Sequence, residues 1–174
     1  NNYEEQCMSA TRMSVLNPIS YKHVDFPQGF WKQRQELNHS VTLKAEYEQL
    51  EKTGRVASLS HQWKEGDWYK PHHYWDSDIA KWIEAAAYVL GKQEDREIEG
   101  KVDYLVDLMC SRQMEDGYFN TYFSTVGKGN RWTNVYVMHE LYCAGHLIEA
   151  AVAYYEATGK DAFLSMMRRY TDHI

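Results

Sequence analysis

A segment of this chain recurs 65 residues further along, and this repeat is the feature that most limits the folds open to it. Residues 82–88 read WIEAAAY, and residues 147–154 read LIEAAVAY. A Gly-Lys pair and a second amphipathic segment follow both copies. Two repeated helices are typical of a helical array or ring, and Ala-rich faces allow close helix packing. Chance similarity between two amphipathic helices is the alternative.

Helical spacing of apolar residues extends over most of the remaining chain, so the sequence predicts an all-α fold. Alternating β-branched runs are scarce, apart from a possible short strand over residues 55–59. Residues 1–29 lack a persistent period and form an irregular lead-in, punctuated by Pro18, Pro27 and Gly29. The predicted helices cover residues 30–52, 76–90, 94–114, 134–158 and 160–174.

Two long segments between these helices, residues 54–75 and 115–133, are rich in aromatic and polar side chains. Loops longer than roughly 12–15 residues in a compact domain are usually functional. Aromatic rings often line carbohydrate sites because the C–H faces of sugars pack on them, although many rings simply belong to the core. The loops therefore indicate a candidate binding region at one end of the helices.

Charge and cysteine usage exclude several classes of function. The net charge is −6 without a basic stripe, which argues against nucleic acid and anionic membrane surfaces. No apolar run approaches the roughly 20 residues that span a bilayer, and no signal-peptide pattern is visible. Cys7, Cys110 and Cys143 form no CxxC pair, which weakly favours a reducing compartment such as the cytoplasm.

Three stretches appear in an order that is typical of one enzyme family. They read YWDSDIAKWIEA at residues 74–85, DGYFNTYF at residues 116–123, and RWTN followed by HELYCAGHLIEA within residues 131–150. Together they resemble the N-terminal region of the β-L-arabinofuranosidases of glycoside hydrolase family 127. The resemblance covers residues 18–174.

The resemblance implies an (α/α)6 toroid of about twelve helices, of which residues 30–174 would supply the N-terminal half. It also implies release of terminal β-L-arabinofuranose from plant glycans or glycoproteins. In the family the nucleophile is a cysteine thiolate on a zinc ion, with a glutamic acid as acid/base. These residues lie downstream of the matching region. The expectation is therefore that this chain carries no catalytic residue and no zinc ligand, and that it is inactive alone.

The strongest candidates for substrate contact lie in the last of these stretches. His139 and His146 are seven residues apart, so they share a helix face with Tyr142. Rigid donors and acceptors beside a ring suit sugar recognition. The alternative is that the two histidines bond to loop backbone. A zincin site would need the histidines four apart, so the spacing argues against it.

Further candidates for sugar contact come from the other two stretches. Asp76 and Asp78 could form a carboxylate pair, as glycosidases commonly use, or could cap the helix that begins there. Tyr118 and Asn120 could present a polar edge to the mouth of the ring, or could only pack within their loop.

Glu46 marks a departure from the family pattern. Relatives have Pro-His-Gln where this chain has residues 44–46, Lys-Ala-Glu, and the Gln is a sugar-contacting position in the family. The Glu46 carboxylate accepts hydrogen bonds from hydroxyls but cannot donate as an amide does. This difference leaves the identity of the sugar open.

Two other functions remain consistent with the sequence. One is a different α/α-toroid sugar enzyme, of the uronyl hydrolase or epimerase type. The other is a non-catalytic sugar-binding fragment, which would associate with itself to cover the open apolar edge of half a ring. The latter would bind sugar without hydrolysing it.

Overall fold

The computed structural model describes residues 17–174, and within them all regular structure is helical. The predicted all-α class is confirmed. Residues 1–16, with Cys7 and most of the predicted lead-in, lie outside the described residues. The helices are α1 Phe30–Leu37, a π-helical turn Asn38–Thr42, α2 Leu43–Lys52, α3 Arg55–Ser58, α4 Trp75–Leu90, α5 Arg96–Arg112, α6 Thr121–Thr125, α7 Glu140–Thr158 and α8 Ala162–His173, after a short 3₁₀ turn Tyr21–His23.

The two copies of the sequence repeat become two helix pairs, α4 with α5 and α7 with α8. The contact between α4 and α7 is the most extensive between any two elements, and α5 also packs against α8. The four helices therefore form two layers, α4 beside α7 and α5 beside α8. Two such layers of paired helices are the arrangement of an α/α toroid, as expected.

Small side chains fill the layer that contains α4 and α7. The fully buried alanines are Ala80, Ala86 and Ala87 in α4 and Ala144, Ala150 and Ala151 in α7. Larger side chains close the core towards the other helices. Trp82 stacks obliquely on Tyr47, and its indole N–H donates to the Leu43 carbonyl oxygen at 2.9 Å. This contact fixes α2 against α4.

Two predicted elements differ from the structure. Residues 55–59 form a helical turn instead of a strand, directly after Gly54 adopts the left-handed conformation. The long helix predicted to start at residue 134 begins at Glu140. The side chain of Asn134 accepts from the Val137 N–H, and His139 has a left-handed φ of 60°. A local turn therefore replaces the first helical turns.

Both long loops lie at the same end of the fold. Lys81 contacts Tyr142, and further along the same helices Glu84 lies near His146. The contacts run in the same order along both helices, so α4 and α7 are parallel. The segments that precede α4 and α7 consequently meet at the N-terminal ends of the two helices.

The turn at the start of the second loop depends on Gly117, which has a φ of 86°. An added Cβ would overlap the carbonyl oxygen of Arg169 in α8. We expect Gly117→Ala to lower the free energy of unfolding by about 1–3 kcal/mol, because both the backbone conformation and the close contact oppose a side chain. Urea denaturation measures this change.

Gly100→Ala is the matched control. Gly100 is exposed in the interior of α5, and an added Cβ meets no atom within 4 Å. The same substitution should therefore raise the free energy of unfolding by roughly 0.5–1 kcal/mol. Equal effects of the two substitutions would show that the turn does not constrain the loop as described.

Candidate functional site

Polar side chains of α4 and α7 meet on one surface, along the line where the two helices pack. We call this surface the inner groove and define it by Lys81 and Glu84 on α4 and Tyr142, His146 and Glu149 on α7. Lys81 donates a hydrogen bond to the Tyr142 hydroxyl at 2.7 Å, and its ammonium lies 5.0 Å from the ring centroid. The groove thus presents a ring, a cation and hydrogen-bonding groups on one surface.

His139 and His146 flank Tyr142, as the seven-residue spacing predicts. The ring centroids of His139 and Tyr142 are 5.5 Å apart, and those of Tyr142 and His146 are 4.6 Å apart. Both contacts are edge-to-face. Three candidate substrate contacts therefore share one face, although the left-handed conformation of His139 places it just before the helix begins.

A cluster of imidazole and phenol rings lies at the end of the inner groove where the loops meet, which we call its mouth. The ring centroid of His73 is 5.0 Å from that of His139 and 6.0 Å from that of Tyr122. Burial, and then the nearby His72 and His139, lower the pKa of His73. A neutral imidazole can both donate and accept a hydrogen bond, which suits recognition of a hydroxyl group.

Glu46 of α2 and Asp78 of α4 border a cleft of about 780 Å³ between the two helices. Lys81 also borders this cleft, so it connects the cleft with the inner groove. Asp78 accepts from Arg55 Nε at 2.7 Å, and both side chains are partly exposed. The cleft therefore carries two carboxylates and the Lys81 ammonium group, which donates to the Tyr142 hydroxyl.

Asp76, Tyr118 and Asn120 occupy a different position from the one expected for direct sugar contact. All three are buried, and Tyr118 and Asn120 have no exposed surface. Asp76 Oδ2 accepts from the Thr121 N–H at 2.8 Å, and Asn120 Oδ1 accepts from the Phe123 N–H at 3.0 Å. These side chains hold the loop that contains α6 from inside, so they do not reach the groove surface.

The expectation that Asp76 and Asp78 cap α4 also differs from the structure. The helix begins at Trp75, its N-cap residue is Tyr74, and no side chain caps it. Asp76 instead accepts from the first N–H of α6, while Asp78 pairs with Arg55. Both carboxylates still lie in the first turn of α4, where the helix dipole favours negative charge.

Glu140 is a buried carboxylate that sequence reasoning overlooked. Its Oε1 accepts from the Tyr118 hydroxyl at 2.6 Å and its Oε2 from the Trp132 N–H at 2.7 Å. The carboxylate therefore connects α7 to both ends of the second long loop. The acidic residue directly after His139 was a usable signal, because an ionised group at a helix start often accepts from neighbouring backbone.

Lys81 was also missed as a groove residue, and nothing in the sequence links His73 to His139. Lys81 lies three residues from both Asp78 and Glu84, so the three share a helix face that the sequence already showed. His73 had no such signal, because its neighbour His139 is 66 positions away in the sequence. Only the parallel packing of α4 and α7 brings the two imidazoles together.

Comparison with known proteins decides the family. The family model described as "Beta-L-arabinofuranosidase, GH127 catalytic domain" matches residues 23–174. The chain belongs to glycoside hydrolase family 127. A relative, the non-reducing end β-L-arabinofuranosidase of Bifidobacterium longum subsp. longum, is 38% identical over 103 residues. That alignment covers 56% of this chain and 15% of the relative.

Two solved family 127 structures share the fold. A β-L-arabinofuranosidase from Geobacillus stearothermophilus T6 superposes with a TM-score of 0.80 at 38% identity, covering 86% of this chain and 25% of that one. A second family 127 β-arabinofuranosidase gives 0.81 at 30% identity, covering 89% and 26%. This family 127 chain therefore spans about a quarter of the length of these relatives.

The buried position of Asp76 gives a testable pH dependence. Burial raises the pKa of its carboxyl to about 6 against an ordinary value of 3.8, although the hydrogen bonds from Thr121 oppose the shift. The folded protein thus holds this proton more tightly than the unfolded chain does. Raising the pH from about 4 to about 7 ionises a buried group and lowers the free energy of unfolding.

Asp76→Asn removes the charge and keeps an oxygen that accepts from Thr121. We expect its free energy of unfolding, relative to the unmodified chain, to rise by up to about 3 kcal/mol between pH 4 and pH 7. Urea denaturation at several pH values measures the difference. Glu156→Gln, which changes an exposed carboxylate of α7, is the control. If the difference in free energy of unfolding between Asp76→Asn and the unmodified chain did not change with pH, the burial of an ionisable carboxyl would be contradicted.

Proposed function

We propose that this chain forms part of the substrate-binding wall of a glycoside hydrolase that releases non-reducing terminal β-L-arabinofuranose. The observation that carries the proposal is the alignment of His139, Tyr142 and His146 on one face of the inner groove. Family membership supports the class of reaction. Because the chain spans only a quarter of its solved relatives, the hydrolysis is proposed for a whole protein that contains it.

The chemistry of the inner groove fits a small, hydroxyl-rich ligand. The face of an aromatic ring packs against sugar C–H groups, while imidazole and ammonium groups exchange hydrogen bonds with hydroxyls. Tyr142 offers the ring and is 44% exposed. One N–H of Lys81 bonds to the Tyr142 hydroxyl and holds that side chain in place. A ligand thus meets groups whose positions are fixed before it binds.

Glu46 bears on which sugar is preferred. Its carboxylate borders the cleft between α2 and α4, which Lys81 connects to the inner groove. A carboxylate accepts hydrogen bonds from hydroxyls and repels an acidic sugar. We therefore infer that a neutral arabinofuranoside of a plant glycan or glycoprotein fits this wall better than a uronate does.

A zinc-bound thiolate nucleophile, as the family resemblance implies, does not fit the cysteines that the structure describes. The Cys143 thiol contacts the His73 carbonyl oxygen at 3.5 Å, and burial raises its pKa. Burial also raises the pKa of Cys110. Among residues 17–174, no cysteine belongs to a group of three candidate metal ligands. We propose that such a zinc and its ligands belong to other parts of the whole protein.

Removing the ring of Tyr142 tests the proposal. The 174-residue chain is mixed with methyl β-L-arabinofuranoside, and saturation-transfer difference NMR measures the contact between protein and sugar. We expect Tyr142→Ala to reduce the signal at least threefold, because the ligand loses the surface on which it packs. Methyl β-D-galactopyranoside and a methyl uronate serve as comparison ligands.

Tyr104→Ala is the matched control, because Tyr104 is similarly exposed, at 52%, but lies on α5 in the other layer. It should leave the signal unchanged. Equal loss in both variants would contradict a site in the inner groove. A stronger signal from the uronate would instead favour a different α/α-toroid sugar enzyme.

Within the helical region that the structure describes, no helix has the length and apolar character to cross a membrane.

A further inference from the structure

Three potential metal ligands lie close together in the inner groove, next to Tyr142. They are the carboxylates of Glu84 and Glu149 and an imidazole nitrogen of His146. One ligand atom from each lies within 4.8 Å of the other two. His146 Nδ1 and Glu149 Oε2 are 3.4 Å apart. Two ligands bound at about 2.0–2.2 Å to the same ion are separated by a similar distance.

The Nδ1 atom of His146 lacks a hydrogen-bond partner. It is inaccessible to solvent, and although Glu149 lies within ion-pair range, the geometry of that contact does not form a hydrogen bond. A buried nitrogen without a hydrogen-bond partner destabilises the fold. The neighbouring carboxylate oxygens are acceptors, so a neutral imidazole that offers a lone pair gains nothing from them. A cation between the three groups would satisfy all of them.

Neighbouring tyrosines fix the orientation of two of these ligands. The Tyr88 hydroxyl donates to Glu84 Oε1 at 2.7 Å, and the ring of Tyr142 packs edge-to-face against His146. Groups that orient metal ligands are typical of built metal sites, and their loss commonly weakens binding tenfold or more. His146 and Glu149 are three residues apart on α7, so they share a face, and α4 supplies Glu84 opposite them.

We propose that Glu84, His146 and Glu149 form a binding site for a divalent transition-metal ion that bridges α4 and α7. One imidazole with two carboxylates suits zinc, cobalt or manganese, and zinc binds most tightly of these to such ligands. Open coordination positions would face the inner groove. The site contains no thiolate and is therefore separate from the cysteine-bound zinc of the proposed hydrolase.

The rival occupant is a proton. If His146 were protonated, it would carry a positive charge between the two carboxylates and need no metal ion. Lys81, which is bonded to the nearby Tyr142 hydroxyl, carries a charge that opposes a second cation, and the Tyr88 hydroxyl hydrogen already points to Glu84. A direct measurement of metal binding separates the two cases.

Isothermal titration of the metal-free 174-residue chain with Zn²⁺ tests the site, and the absorption spectrum of bound Co²⁺ reports its ligands. We expect one saturable equivalent in the unmodified chain. Glu84→Gln and His146→Gln should each weaken the affinity at least tenfold, because each loses a ligand. Glu156→Gln, which alters an exposed carboxylate further along α7, should leave it unchanged.

Histidines at the mouth of the groove could also bind zinc, so the double variant His72→Gln/His139→Gln provides a second control. This variant should still bind one equivalent of Zn²⁺, and loss of that binding would overturn the proposal. Unchanged affinity in Glu84→Gln, or no saturable binding up to 1 mM Zn²⁺ (roughly the weakest binding that titration resolves), would overturn it as well.

Circular dichroism establishes that each variant is folded. If His146→Gln does not fold, Glu84→Gln decides alone, because Glu84 is only partly buried and its replacement keeps the same shape. Failure of the metal test leaves the sugar-binding prediction intact, since the sugar measurement uses Tyr142 and contains no metal.

Discussion

Close packing between α4 and α7 determines how every functional group in this protein is placed. Alanines fill the buried faces of both helices, so the two backbones approach closely over most of their length. Because the helices are parallel, side chains from the two repeat copies meet in register. Lys81 reaches Tyr142, and Glu84 reaches His146. A larger side chain in this seam would separate groups that no single helix could bring together.

Buried carboxylates hold the long loops over the N-terminal ends of these helices. Asp76 accepts from the backbone of α6, and Glu140 accepts from Tyr118 and Trp132. Removing a charged group from water is costly, so such carboxylates persist where hydrogen bonds compensate for the lost hydration. The loops are therefore positioned from the interior, which leaves surface side chains at the mouth free to contact a ligand.

Buried polar groups and surface polar groups have different roles in this protein, and the difference supports the proposed function. Polar groups that determine the loop shape are hidden, whereas Tyr142, Lys81 and the imidazoles of His139 and His146 border the groove. Family 127 membership rests on the match over residues 23–174. The proposed cation site uses the repeat in another way, because Glu84 and Glu149 occupy equivalent places in its two copies.

The sequence alone determined the helices, the repeated helix pairs and the family, because periodicity and motif order are properties of the linear chain. It also placed His139, Tyr142 and His146 on one face, because residues seven apart are separated by about two helical turns and so point in nearly the same direction. It could not show that Asp76 and Asn120 are buried, or that His73 meets His139. Those outcomes depend on contacts between helices far apart in sequence, and only the packing of α4 against α7 decides them.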